Sequence, residues 1–191
     1  MILLINACVR KESRTRFLTD HLISGLDDPD VKEVKLWEMD IPHVHEDFIN
    51  KRNSLYARND YSDPIFDPAK DFAAADTIVI AAPYWDLSFP AILKQYLEQI
   101  CVLGITFFYN DQNMPQGLCK AKKMYYVTTA GGPIINDAYG YGYVKDVCQT
   151  FFGIPETFYI KAEMLDIVGS DPKAILEEAI SIQIPAVLNQ N

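Results

Sequence analysis

The chain lacks any apolar run near the roughly 20 residues that a membrane-spanning helix needs. It is poor in glycine, with 9 in 191 residues. Neither a G-x-G-x-x-G fingerprint nor a Walker A loop occurs, which removes the usual dinucleotide and nucleoside-triphosphate cradles. Cysteine is sparse. Cys8, Cys101, Cys119 and Cys148 form no close pairing motif, so reduced, structural thiols are expected. Histidine is sparser still. His43 and His45 stand beside Glu46 and Asp47, but no third ligand follows at a recognisable spacing, and no metal site is expected. Positive charge is in deficit: 17 Lys and Arg face 26 Asp and Glu, a formal net charge of −9. That argues against nucleic acid or an anionic membrane as partner. It does not exclude a phosphate-bearing cofactor, because local N–H groups and helix ends decide phosphate capture.

What is present is ordinary for a globular protein: 49% hydrophobic and 23% charged residues. The length suits one domain over 1–191, with a loop or helix excursion at about 40–68. Such a chain buries roughly 70% of its unfolded surface and needs no disulfide or metal staple. Residues 1–5 are apolar and break at Asn6, and the basic residues come afterwards. A secretory signal has the reverse order, so the segment reads as a buried strand and a cytoplasmic location is expected.

The run 2–5 fits a central parallel strand covered on both faces. Ser13 opens a helical pattern carried by Phe17, Leu18, Leu22 and Leu26. Residues 31–36 alternate as a half-exposed edge strand. The polar stretch from 40 to 68 contains three prolines, and its middle, around 48–58, could form a helix. Residues 77–82 form the clearest strand. Phe89 and Pro90 then start a helix, with Pro90 at its first position, and Leu93, Tyr96, Leu97 and Ile100 make its buried face. Further on come a strand at 124–129, a helix at 143–152 stopped by Gly153, a strand at 157–162 and a helix at 172–188 capped by Asp171. Strands alternating with helices imply a doubly wound α/β fold, and five strands fit the parallel order 2-1-3-4-5.

In such a sheet a ligand binds beyond the carboxyl ends of the strands, at the switch point between strands 1 and 3. Three loops meet there. The first runs from Asn6 to Thr15 and carries Ser13, Thr15, Arg10, Lys11 and Arg14 at a helix start. That is the make-up of an anion site, although Ser13 alone also reads as a simple helix cap. The second contains Pro83, Tyr84, Trp85, Asp86 and Leu87. Its adjacent aromatics either serve core or subunit contact or flank a flat ring. The third runs Thr128-Thr129-Ala130-Gly131-Gly132-Pro133. Its paired glycines allow backbone to approach a ligand closely, or simply make a turn.

Residues 82–97, APYWDLSFPAILKQYL, resemble the signature of the FMN-dependent NAD(P)H:quinone oxidoreductase and azoreductase family, which is flavodoxin-like in fold. Gly104-Ile105-Thr106-Phe107 is similar to that family's G-x-T-F element. Gly117-Leu118 with Lys122-Lys123, the Gly131-Gly132 pair and the FFGI run at 151–154 also match. The likeness covers nearly the whole chain, with 40–68 the least alignable part.

The resemblance implies FMN rather than FAD, and NADH or NADPH as co-substrate. The nucleotide would deliver hydride to the flavin, which would pass two electrons to a quinone, azo or similar small acceptor. By position it places Ser13, Arg14 and Thr15 at the phosphate, with Asn6 also among the cofactor-binding residues. Pro83, Tyr84, Trp85, Asp86 and Leu87 would lie along the ribityl chain and ring, and Thr128, Thr129, Gly131 and Gly132 at the ring's other edge. It also implies a homodimer whose partner completes the pocket. Tyr139 and Tyr141 are candidates for an acceptor wall, and equally for a surface turn. Asp86 stands where the family often has Asn, which sets a carboxylate near reduced flavin. A flavodoxin-type electron carrier and a flavin-free scaffold are the competing classes. Fold alone cannot separate them.

Overall fold

A computed structural model describes residues 1–189; the expected domain extends to 191, and its last two residues lie outside the described ones. Five parallel strands form the central sheet: β1 (Ile2–Asn6), β2 (Val31–Lys35), β3 (Thr77–Ala81), β6 (Lys123–Thr129) and β7 (Glu156–Ala162). Their order is β2-β1-β3-β6-β7, which is the expected 2-1-3-4-5. The two remaining strands, β4 (Phe107–Tyr109) and β5 (Pro115–Gly117), make a separate antiparallel pair. The chain thus has the three-layer flavodoxin-like architecture.

The continuous apolar strands follow from burial on both faces. Along β1, Leu3 and Ile5 join one core and Ile2 and Leu4 the other. The first core packs under α3 (Asp67–Ala74), α4 (Ala91–Ile100) and α5 (Tyr141–Val147). The second packs under α1 (Arg14–Gly25), α6 (Pro172–Glu178) and α7 (Ile184–Leu188). In register, Asn6 pairs with Ala81, Ala81 with Val127, and Thr129 with Ala162. The carboxyl ends of the central strands therefore open on one shared edge.

Several expectations change. Pro90 is not the first helical residue. Its ψ of 137° makes it the N-cap, and α4 starts at Ala91. Phe17, expected on the buried face of α1, is 48% exposed, and Thr15 and Thr19 are buried there instead. Leu36 leaves the edge strand and is buried in a short 3-10 turn. The helix expected at 143–152 begins at Tyr141 and widens into a π-type turn over Cys148–Phe152 before Gly153 stops it at φ 71°. The final helix is likewise broken by a π-type turn over Ala179–Gln183.

The 40–68 excursion contains α2 (Glu46–Ala57), whose N-cap is His45: its Nδ1 accepts from the Phe48 N–H at 3.4 Å. The G-x-T-F element serves structure here. Thr106 Oγ1 donates to Ile100 O at 2.7 Å and accepts from Val102 N–H at 3.0 Å. Tyr61 fills the space beside Gly104, which sits at φ 83°. No helix of the described residues is long and apolar enough to cross a membrane.

Candidate functional site

A cleft of about 340 Å³ lies at the carboxyl edge, within the usual range for small-molecule sites. The three loops build it, joined by the loop after β7. The first loop is pinned by Asn6. Its Oδ1 accepts from the Cys8 N–H at 2.8 Å, and its Nδ2 donates to Glu33 at 2.7 Å. Ser13 caps α1 by accepting from the Arg16 N–H at 3.2 Å. The N–H groups of Arg14 and Thr15, in the first turn, have no acceptor within the described residues. Thr15 Oγ1 and Thr129 Oγ1 share a buried hydrogen bond at 2.7 Å, which ties the first loop to the third.

The second loop leaves β3 and is held to the third by the Tyr84 N–H donating to Thr129 O at 3.0 Å. Trp85 and Ser88 then exchange two backbone bonds, at 3.0 and 2.8 Å. Between them Asp86 has φ 50° and Leu87 φ 68°. Two positive φ values inside a two-residue turn define type I′ geometry, where Asn and Gly are the easy choices. Asp is tolerated there but Leu is costly, and strain of this kind concentrates at functional sites. Tyr84 lines the cleft wall, and its phenolic Oη is buried without a partner among the described residues, which costs about 1–3 kcal/mol.

The third loop is roofed by the loop after β7. Met164, Leu165 and Asp166 donate their N–H groups to Gly132, Ala130 and Gly131 at 3.0, 3.2 and 2.8 Å. Arg14 Nη1 reaches Asp166 Oδ1 at 2.7 Å across the cleft mouth. Cys8 is buried at the cleft floor, and burial pushes its thiol up to about 11. It stays protonated and is no nucleophile near neutrality.

Ser13, Arg14, Thr15, Pro83, Tyr84, Trp85, Thr129 and Gly131 line this one cleft. Asn6 stands behind its first loop. Asp86 and Leu87 form the turn at its rim. Thr128 alternates to the opposite face of β6, where its hydroxyl is buried unpaired. Gly132 contributes its carbonyl to the roof.

The two tyrosines separate. Tyr139 lines a neighbouring apolar depression with Ser88, Phe89, Lys94 and Tyr143, and its carbonyl accepts from Ser88 Oγ at 2.5 Å. Tyr141 turns inward, stacking on Tyr159 at 4.4 Å and donating to Thr157 O at 3.0 Å. Cleft residues not singled out from the sequence include Glu12, Leu165 and Asp166. The loop after the last strand lies at the same carboxyl edge, and the switch-point rule extended to it would have flagged Asp166.

A nucleotide-sized cleft at the switch point of a 2-1-3-4-5 sheet defines a flavodoxin-like ligand-binding protein. A family model described as flavodoxin-like fold matches residues 1–181, and the chain belongs to that family. An FMN-dependent NADH:quinone oxidoreductase of Coprothermobacter proteolyticus is 34% identical over 89% of this chain and 88% of its own. A second such oxidoreductase, from Clostridium acetobutylicum, is 44% identical over 117 residues, 59% of this chain and 58% of the relative. An FMN-dependent NADH-azoreductase of Bacillus anthracis, solved with FMN, superposes at a TM-score of 0.80 with 20% identity, covering 97% of this chain and 96% of that one. That last likeness speaks for the fold.

Proposed function

We propose that this protein is an FMN-dependent NADH:quinone oxidoreductase able to use azo compounds or similar small acceptors. The observation that carries the reading is the cleft itself, with free helix N–H groups at the start of α1. Flavin phosphate fits the first end. Arg14 N–H, Thr15 N–H and Ser13 Oγ would hold it, helped by the positive end of α1. The ring fits between Trp85 and the Thr129–Gly131 edge.

FMN, when bound, supplies the two-electron chemistry, accepting hydride from a nicotinamide and yielding electrons to the acceptor. The chain's own task is placement. The Trp85–Ser88 turn holds one edge and the Thr15–Thr129 bond fixes the floor. No acid or base from the chain is assigned. The relatives' printed names support NADH as donor.

Trp85, Leu87, Ile135 and Tyr139 are exposed large hydrophobics in the loops that follow the central strands. They support a homodimer that completes the acceptor pocket, with Tyr139 in its wall. A cytoplasmic location accords with reduced cysteines.

The test is an anaerobic visible spectrum of FMN-reconstituted protein before and after NADH, then NADPH, with a quinone added last. Stoichiometric flavin, bleached by NADH and recoloured by the quinone, is expected. Bound flavin that neither nucleotide bleaches would move the protein to the electron-carrier class. No bound flavin would sink the reading.

A further inference from the structure

A carboxylate stands where the proposed reading puts a phosphate. Asp166 bonds Arg14 at 2.7 Å, and the pair is open to solvent, with the two side chains 42% and 65% exposed. Asp166 is held there from two sides. Its own N–H donates to Gly131 O at 2.8 Å. Its carboxylate lies flat on Gly131, with Oδ2 only 2.4 Å from where a Cβ would be. The N–H groups of Met164 and Leu165 seat the same segment on Gly132 and Ala130. The formal charges lining the cleft cancel as a result: Arg10 and Arg14 against Glu12 and Asp166. A site that only grips a dianion gains nothing from a carboxylate at its mouth.

We infer that Asp166 is a built-in counter-ion that competes with the flavin phosphate for Arg14. It thereby sets how tightly phosphate-bearing flavin is held and how readily it leaves. The inference rests on the reading that the phosphate docks at the start of α1. An exposed ion pair holds weakly, so Arg14 can turn to a phosphate. The vacated carboxylate then faces that phosphate at short range, and salt screens the repulsion between them. Riboflavin carries the same ring and ribityl chain without the phosphate, so it does not meet this competition.

The experiment measures dissociation constants of FMN and riboflavin for wild type, Asp166→Asn and Asp166→Ser at low and high salt. Asp166→Asn keeps the shape over Gly131 and removes the charge. It is expected to tighten FMN about tenfold, leave riboflavin within about twofold, and lose most of the gain at high salt. Asp166→Ser is expected to move the same way. FMN binding that is unchanged or weakened in both variants overturns the inference, and so does an equal shift for both flavins. A wild type that prefers FMN no more than riboflavin removes the phosphate reading, and the inference with it. A wild-type preference for FMN that both variants leave untouched removes the inference alone.

Discussion

The two ends of the central sheet are built to opposite plans. At the amino end charges pair around Asp76 and backbone packs on backbone. The Met1 ammonium bonds Asp76 at 2.7 Å and Asp28 at 3.1 Å, and Lys120 closes on Asp76 at 2.5 Å. Gly117 lies so near Gly153 that an added Cβ would sit 2.1 Å from its nitrogen. At the carboxyl end helix N–H groups are free, a phenol is orphaned, and two successive residues are held at positive φ without being glycine. One sheet thus stores closure at one end and unmet valence at the other. Unmet polar groups cost stability, and a ligand can return it. The difference locates the chemistry without reference to any motif.

Substitutions can break the contrast. The largest effect is expected at the amino end. Gly117→Ala drives a methyl into the Phe152–Gly153 backbone, which has no flexible side chain to yield. It should cost about 3 kcal/mol in urea unfolding while leaving the cleft loops untouched. Next comes Thr15→Val, which strands the buried Thr129 hydroxyl. A loss of about 1–3 kcal/mol is expected, with weaker FMN binding, read by unfolding and by flavin fluorescence.

Leu87→Gly should go the other way. Relief of the left-handed conformation, about 1–2 kcal/mol, exceeds the added unfolded-state entropy of about 0.4–1 kcal/mol. A small rise in melting temperature is expected, together with looser flavin, because the rim loses its rigidity.

The smallest effect belongs to Asp76. Hydrogen bonds from Lys120 and then the Met1 ammonium lower its carboxyl from 3.8 to about 2. A carboxylate depressed in the fold stabilises it above about pH 4, and that contribution is lost as pH falls from 4 toward 2. Asp76→Asn should flatten this limb of the stability curve. Exposure and salt keep the change small.

The sheet was legible because parallel strands buried on both faces become unbroken apolar runs, as in β1 and β3. The edge strand kept its alternation for the converse reason. The β4–β5 pair was not legible: each strand has three residues, too few to show a period. Nor was α3, whose Pro68 at its start reads as loop. Both π-type turns lie inside sequences that look uniformly helical, so only the hydrogen bonds reveal them. At the site, Ser13 and Thr15 announced themselves by residue type at a helix start. The conformation of Asp86 and Leu87 did not, since leucine is no easy occupant of positive φ. Asp166 lies 152 residues from Arg14, and only the closed sheet brings them together.

The contrast between the two ends can be tested in one titration. FMN is added to isotope-labelled protein while backbone amide resonances are followed. Large shifts are expected at 13–15, 84–88 and 129–132, with Asp28, Asp76 and Lys120 silent. Shifts centred on the amino end, or spread evenly over both, would contradict the assignment of ligand chemistry to the carboxyl edge.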